Sequence, residues 1–227
     1  TWSNSLTFKS AIIAIVALFL LIPLEMIKSV ISEREKTAQE VENNISDQFG
    51  NDQTLVGPIL NIPVEKLTTD KDGLVTSERS WLHIMPEILD LKAKLEPEIR
   101  YRGIYKTAVY NSDSQISGRF SIPINGEEMD GDIEWDKACV TFGISDNRGI
   151  RGDVEILWNH KPMTTQSGMI TKNIAKTGFS VRTPLSKENR NEIIPFEIKL
   201  ALSGSKSFSV LPIGQISNIQ IESTWND

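Results

Sequence analysis

The chain opens with one long apolar run, and this run predicts a helix. Residues 11–24 read AIIAIVALFLLIPL, and flanking apolar side chains extend the stretch to Phe8–Ile27. A bilayer core needs roughly 20 mostly apolar helical residues, and the extended stretch has that length. Lys9 and Lys28 lie at its two ends, where their ammonium groups reach the lipid headgroups. The pattern therefore predicts a membrane-spanning helix.

A cleaved secretory signal also begins with such a run, but it carries a small-x-small cleavage site just past the apolar core. The residues that follow here, EMIKSVISEREKTAQEVENNISDQF, contain no such site. Apolar residues instead recur among them at helical spacing, at Ile27, Val30, Ile31, Ala38, Val41 and Ile45. We therefore predict an uncleaved signal anchor at residues 1–30, followed by an amphipathic helical stalk at residues 31–54.

From Leu55 onward the apolar positions recur with period 2. In residues 196–203 they alternate with polar or small ones, and residues 120–124 and 219–225 repeat the alternation. This periodicity is typical of half-buried antiparallel strands. Turn-forming residues separate the segments, at Asn111-Ser112-Asp113, Asn125-Gly126, Asp130-Gly131 and Gly204-Ser205. We predict that residues 55–227 form a mainly β domain, an antiparallel β-sandwich or a partly closed roll, without βαβ units.

Two prolines limit the places in a sheet that the first β segment can occupy. This segment reads LVGPILNIPVEKL. Pro58 and Pro63 have no N–H to donate to a strand ladder, so proline is confined to strand edges, strand starts and bulges. The segment is therefore predicted to be an edge strand or a bulged strand.

The composition narrows the classes of function. The chain has 24 Lys and Arg against 30 Asp and Glu, a net charge of −6. Nucleic-acid binding needs clustered cations to replace the counterions of the phosphates, so we expect no nucleic-acid partner. Cys139 is the single cysteine, and His83 and His160 are the two histidines. These residues are too few for an intrachain disulfide or a Cys/His zinc site, and we predict no cofactor.

An ordered set of segments resembles the CreD family of bacterial inner-membrane proteins. A first apolar helix containing LLIPL and a charged stalk are followed by LVGPILNIP, RYRGIY, ISDNRGI, FSVLPIGQ and a last strand that ends in STW. The resemblance covers essentially the whole chain. It implies a short cytoplasmic amino end, a large periplasmic domain and further membrane helices downstream, beyond this chain. The positive charges give the opposite orientation, since Lys9 precedes the run whereas Lys28, Arg34 and Lys36 follow it.

The resemblance also implies a biological theme. Members of the family are tied to envelope integrity, tolerance of membrane-directed toxins and a two-component regulatory system. It supplies no catalytic residues.

The strongest candidate for an interaction site is a polar cluster between two apolar segments. It consists of Asp146, Asn147 and Arg148. A rigid sandwich presents loops of this kind at its ends, so the three residues are a candidate interaction loop. The alternative is a simple turn in which Arg148 pairs locally with Asp146.

Other candidate chemistry is weaker. His83 and His160 are possible bases, but no serine lies in the G-x-S-x-G pattern of a nucleophile. An acidic run departs from the spacing of a calcium loop, and its alternate carboxylates fit a solvated strand face with Ile133 and Trp135 directed inward. That run consists of Glu127, Glu128, Asp130, Asp132, Glu134 and Asp136.

These observations favour a non-enzymatic inner-membrane protein whose periplasmic β domain serves cell-envelope integrity or the stress response. Its expected partners are the lipid bilayer, other envelope proteins and its own downstream membrane helices. Two alternatives stay open. One is an envelope hydrolase or lipid-modifying enzyme with paired carboxylates on the β domain, which requires a deep cleft lined by close, buried Asp or Glu side chains. The other is a periplasmic ligand-sensing domain.

Overall fold

The computed structural model describes residues 6–69, 75–122, 131–170, 175–186 and 192–225. The chain divides into two compact units. The helical unit comprises Thr1–Ile45 and Tyr101–Lys106, and the β unit comprises Ser46–Arg100 and Thr107–Asp227. The predicted turn at Asn125-Gly126 and the acidic residues Glu127, Glu128 and Asp130 lie outside the described residues.

A single helix, α1, runs from Leu6 to Phe49 and contains Pro23. The large apolar side chains between Phe8 and Leu24 are 47–68% exposed. Among the described residues, α1 is the one helix that is long and apolar enough to cross a membrane, as the apolar run predicts. α1 is followed by Gly50 at φ +93°, because a helix commonly stops at a residue in the left-handed region and glycine adopts it without strain.

Thirteen strands make up most of the rest of the described structure. Their bounds are β1 Gln53–Thr69, β2 Val75–Ile84, β3 Ile88–Arg102, β4 Tyr105–Ser121, β5 Asp132–Ile133, β6 Cys139–Ile144, β7 Ile150–Trp158, β8 Lys161–Met163, β9 Gln166–Ser167, β10 Gly178–Arg182, β11 Ile193–Ser205, β12 Phe208–Leu211 and β13 Ile216–Ser223. Short 3₁₀ turns lie at Trp135–Lys137 and Asn147–Gly149.

The described strands form two sheets. The first has the order β12-β1-β6-β10-β9, and β2 and β5 also pair with β1. The second has the order β13-β3-β4-β11-β7-β8. β12 runs parallel to β1 and β13 runs parallel to β3. The fold is thus mainly β with mixed pairing, which confirms the predicted class and adds two parallel pairs to the antiparallel pattern.

The alternation predicted for residues 196–203 matches the burial in β11. Phe196, Ile198, Leu200 and Leu202 are all buried. Together with inward-facing residues of both sheets, including Phe120 and Phe142, they belong to one hydrophobic cluster. The core therefore lies between the two sheets, as in a sandwich.

Three local predictions were wrong. Asn111–Asp113 was predicted to be a turn but lies inside β4, and Gly204-Ser205 lies at the end of β11. Residues 219–225 were predicted to form a half-buried antiparallel strand with Ile221 on its apolar face, but β13 pairs with β3 in parallel at the margin of its sheet and Ile221 is 45% exposed. In each case the conformation or exposure depends on the strand that pairs with the segment, and the local sequence does not reveal that partner.

The first β segment is bulged, as its prolines indicate. The register of β1 against β6 shifts between Val56 and Ile59, next to Pro58. β1 is nevertheless not an edge strand, because described strands pair with it on both sides. Its ladder tolerates proline because the bulge interrupts the pairing there.

Candidate functional site

The predicted interaction loop connects β6 to β7 and is a tight turn. Asp146 has extended backbone angles and begins the 3₁₀ turn Asn147–Gly149 as its N-cap, and its Oδ1 accepts a hydrogen bond from the Arg148 backbone N at 3.0 Å. Aspartate at an N-cap satisfies a backbone donor that the turn leaves free. The backbone of the loop is therefore held by its own first side chain.

Asp146 also binds Asn51, which lies two residues past the end of α1. Its Oδ2 accepts hydrogen bonds from the backbone N of Asn51 at 3.1 Å and from Asn51 Nδ2 at 3.2 Å. Arg148 donates to the same carboxylate through Nε at 3.0 Å and Nη2 at 2.7 Å. The Arg148 guanidinium is the largest of the causes that lower the pKa of Asp146 to about 2, and the two backbone donors add to its effect.

Arg148 links two carboxylates. Its Nη1 donates to Asp47 Oδ1 at 3.1 Å, while Nη2 holds Asp146. These two hydrogen-bonded carboxylates raise the pKa of Arg148. Asp47 belongs to the last turn of α1, so the guanidinium joins the end of the helix to the loop after β6.

Gln53 extends this arrangement into the interior. Its side chain is buried, and Nε2 donates to the carbonyl oxygens of Asp146 at 3.0 Å and Ser203 at 3.2 Å. Gly149 lies against the same groups, because a Cβ at this position would approach Ser203 O to 2.2 Å. We call Asp47, Asn51, Gln53, Asp146 and Arg148 the junction cluster.

The sequence pointed to Asp146, Asn147 and Arg148 but missed the other members of the junction cluster. The contacts between Asp47 and Arg148 and between Asn51 and Asp146 join residues about a hundred positions apart in the chain. Asn147 points elsewhere, since its Nδ2 donates to Gly178 O at 3.2 Å. The only available signal was a run of polar residues, NDQ, placed directly after a glycine at the end of a helical pattern.

The two histidines are not brought together with a nucleophile among the described residues. His83 Nδ1 lies 2.6 Å from Asn61 Oδ1, while Asn61 Nδ2 donates to Ile59 O and Thr141 Oγ1, each at 2.9 Å. Because both amide hydrogens are used, the amide oxygen accepts and Nδ1 carries the proton. Burial lowers the pKa of His83. His160 occupies a turn with φ +63°.

Cys139 is not a reactive thiol at neutral pH. Its side chain is buried, and this burial raises the thiol pKa to about 11. Nucleophilic cysteines instead have a lowered pKa, because the thiolate is the attacking species.

The described part of the acidic run forms a strand only at Asp132–Ile133 and then turns into the 3₁₀ segment at Trp135–Lys137. The predicted continuous strand face is therefore wrong, although Trp135 is buried as expected. Glu134 pairs with Lys137 and, at 3.1 Å, with Arg79. Within the described residues, no three His, Cys, Asp or Glu side chains are placed to hold a metal ion.

A depression of about 570 Å³ lies on the second sheet and is lined by charged side chains. Two of its carboxylates, Asp113 and Glu155, are 74% and 69% exposed and pair with Arg151 and Lys199, both at 3.3 Å. A catalytic carboxylate pair lies close together in a cleft that shields it from water, whereas these two carboxylates are exposed and each pairs with a cation. This depression therefore does not supply the buried carboxylate cleft that the hydrolase alternative requires.

Comparison with known proteins identifies the family of the chain. The family model described as "Inner membrane protein CreD" matches residues 5–227. The chain belongs to the CreD family. It is also similar to inner membrane protein CreD of Escherichia coli (strain K12), with 31% identity over 212 residues that cover 92% of this chain and 46% of that relative. The chain thus spans about half the length of that relative. No solved structure matches.

The segments that carry the CreD resemblance have distinct places in the fold. LVGPILNIP lies in β1, and FSVLPIGQ begins as β12, which pairs with β1. RYRGIY forms the turn between β3 and β4, and ISDNRGI contains the loop of the junction cluster. Two of these four motifs, LVGPILNIP and FSVLPIGQ, therefore belong to the sheet around β1. A third, ISDNRGI, contacts the end of α1.

Proposed function

We propose that this CreD-family chain is a non-enzymatic inner-membrane module that holds a periplasmic β-sandwich at the membrane surface and serves envelope integrity or the envelope stress response. We assign residues 1–30 to the anchor, 31–54 to the stalk and 55–227 to the periplasmic domain. The observation that carries the proposal is the junction cluster, in which Arg148 joins Asp47 to Asp146.

The chemistry of the junction cluster supports a holding role. Asp146 has a side chain that is only 12% exposed and accepts from both the backbone and the side chain of Asn51. Charge-assisted hydrogen bonds in a partly buried site are stronger than exposed ion pairs. The bonds to Asp146 therefore supply most of the strength, and the pair of Arg148 with Asp47, whose side chains are 54% and 59% exposed, adds little. A sandwich that exchanges force or position with the membrane needs such a connection, whereas a freely tethered enzyme domain does not.

The periplasmic location rests on the family resemblance and needs its own test. We suggest cysteine labelling in intact cells with a membrane-impermeant maleimide. The exposed Lys161 on β8 offers a site for Lys161→Cys, and the buried Cys139 provides a low background. We expect labelling before lysis at position 161, and only after lysis for Ser3→Cys on the other side of the span. The reverse pattern would place the sandwich in the cytoplasm.

The proposed role is tested by complementation with the full-length protein. Cells that lack it are challenged with a membrane-directed toxin and supplied with variants of equal abundance. We expect Arg148→Ala to reduce tolerance because it removes the charge-assisted donor of the partly buried Asp146 carboxylate and, with it, the contact to Asp47. The double variant Asp153→Asn with Glu155→Gln, in the charged depression, should retain full tolerance. Loss of tolerance in the double variant, with an intact junction variant, would favour the carboxylate-based enzyme.

A further inference from the structure

The turn between β3 and β4 exposes an unusual combination of side chains. The hairpin tip, which we define as Tyr101–Lys106, presents Ile104 at 81% exposure and Tyr101 at 70% exposure. Arg102 and Lys106 are exposed beside them, and residues 99–107 contain no Asp or Glu. Within the described structure, neither of these two cations has an ion-pair partner.

Nothing about the fold of the hairpin itself requires these residues. A two-residue turn between antiparallel strands needs backbone freedom, which Gly103 supplies at φ +63°. An isoleucine that is 81% exposed leaves most of its apolar surface in water, which is unfavourable. An aliphatic and an aromatic side chain flanked by cations are, in contrast, what an interfacial lipid contact uses.

The hairpin tip belongs to the same compact unit as the membrane helix. The helical unit consists of α1 up to Ile45 and the hairpin tip. Ala38 and Val41 of α1 are half-buried and Ile45 is buried, whereas α1 is exposed from residue 8 to residue 37. Because the hairpin tip and α1 form one compact unit, we take the hairpin tip to lie beside this less exposed part of the helix.

The distance along α1 brings this position close to lipid. Large exposed apolar residues of α1 continue past Ile27, the end of the predicted span, to Val30 and Ile31. Ala38 follows Ile31 by seven residues, or about 10 Å of helix rise. The headgroup layer adds about 5–7 Å beyond the hydrocarbon core on each side. Arginine and lysine side chains cover the remaining few ångströms by extending toward the headgroups.

We propose that the hairpin tip docks onto the headgroup layer of the bilayer that α1 spans, with Arg102 and Lys106 on anionic phosphates and Tyr101 and Ile104 packed among the headgroups beside them. The charge supports a lipid surface, because this basic segment lies in a chain whose net charge is −6. The contact extends an interface that the chain already has. The hairpin tip then fixes the helical unit on the membrane at a second point, besides the span.

The test uses the whole chain in lipid nanodiscs and measures depth at the hairpin tip. Ile104→Cys carries an environment-sensitive fluorophore, and quenching by spin-labelled lipids reports its proximity to the bilayer. Lys161→Cys on β8 is the matched exposed control. In nanodiscs with about one third phosphatidylglycerol, we expect strong quenching at position 104 and little at position 161.

Charge variants distinguish docking of the hairpin tip on anionic lipid from a position that is merely near the bilayer. In the labelled background, Arg102→Gln with Lys106→Gln should lower the ratio of docked to undocked hairpin tip about fivefold per cation removed, as expected for a basic residue at an anionic surface. Lys92→Gln with Lys176→Gln changes the net charge equally at exposed sites elsewhere and should have no effect. Replacing phosphatidylglycerol with phosphatidylcholine should mimic the first double variant.

Three results would overturn the proposal. The first is quenching at position 104 no greater than at position 161 in every lipid mixture. The second is quenching that depends neither on anionic lipid nor on Arg102 and Lys106. The third is a label at position 104 that is shielded from water but crosslinks to protein, which would assign the hairpin tip to a protein partner. All three outcomes are independent of the toxin-tolerance assay, so they leave the proposed function to its own test.

Discussion

Replacing Asp146 with asparagine keeps the shape of the side chain and removes its charge at the centre of the junction cluster. The variant loses charge-assisted acceptance from Arg148, at 2.7 Å from Nη2 and 3.0 Å from Nε, and weakens acceptance from Asn51. We predict that Asp146→Asn loosens the connection between the end of α1 and the β6–β7 loop while the sandwich core remains folded.

The size of the effect follows from the pKa of Asp146, which falls from 3.8 to about 2 in the folded chain. Each pKa unit corresponds to about 1.4 kcal/mol of differential interaction. Arg148 is 54% exposed, so solvent screening reduces the full value, and we expect a loss of about 1–2 kcal/mol. That range corresponds to a factor of about 5–30 in the local opening equilibrium.

Hydrogen exchange of the chain in nanodiscs, followed by mass spectrometry, measures this opening. Peptides that cover residues 46–54 and 145–150 should exchange about 5–30 times faster in Asp146→Asn, and peptides from β11 should not change. Glu155→Gln is the matched control, because Glu155 forms an exposed pair with Lys199 at 3.3 Å. Pairs of this kind contribute little, so exchange should change about twofold or less.

The pH dependence gives a second check. Because the pKa of Asp146 is depressed on folding, its stabilisation is fully present above the unfolded pKa of about 3.8 and is lost as the pH falls toward the folded value of about 2. The difference between the wild type and Asp146→Asn should therefore be constant near neutral pH and narrow below about pH 4. Equal protection in both proteins at pH 7, or a difference that persists unchanged to pH 2, would refute the reasoning.

Three further substitutions or measurements probe the same region and the core. Gln53→Ala removes the buried donor that Gln53 Nε2 supplies to Ser203 O and to Asp146 O. Because Asp146 O keeps the Gly149 backbone N as a donor, the variant should lower the free energy of unfolding by about 1–2 kcal/mol in chemical denaturation. Gly149→Ala places a Cβ 2.2 Å from Ser203 O, so thermal unfolding should reveal a loss of about 1–3 kcal/mol. Cys139, with a thiol pKa of about 11, should react with maleimide at pH 7 only after denaturant unfolds the sandwich.

The sequence alone was sufficient to predict the features that follow from a single physical rule acting along the chain. The apolar run predicted the first part of α1, since a spanning length of apolar residues has few other uses. The period of 2 in β11 placed Phe196 and Ile198 inside, because strand side chains alternate between faces. The bulge next to Pro58 was also predictable, since proline lacks the donor that a regular ladder needs.

The sequence alone was insufficient to predict contacts between segments that lie far apart in the chain. Asn111–Asp113 has the composition of a turn, yet β4 passes through it because β11 pairs with it over thirteen consecutive residues. The parallel partners of β1 and β3 come from the last strands of the chain. Asp47 resembles any solvated residue of a charged stalk, and only the return of the chain at Arg148 gives it a specific role. Such contacts depend on topology, which no local pattern contains.

The linker between α1 and β1 is hydrogen-bonded to the β unit at each of its residues. Helix ends and short linkers leave carbonyl groups without partners, and water or side chains must satisfy them. Here the carbonyl of Gly50 accepts from Ser205 Oγ at 3.1 Å, that of Asn51 accepts from the Ser205 backbone N at 3.3 Å, and that of Asp52 accepts from Ser145 Oγ at 2.5 Å. Three successive linker residues are thus bonded to strand ends or loops of the sandwich. These hydrogen bonds fix the course of the chain between the last turn of α1 and the start of β1, because each linker carbonyl is held by a group of the β unit.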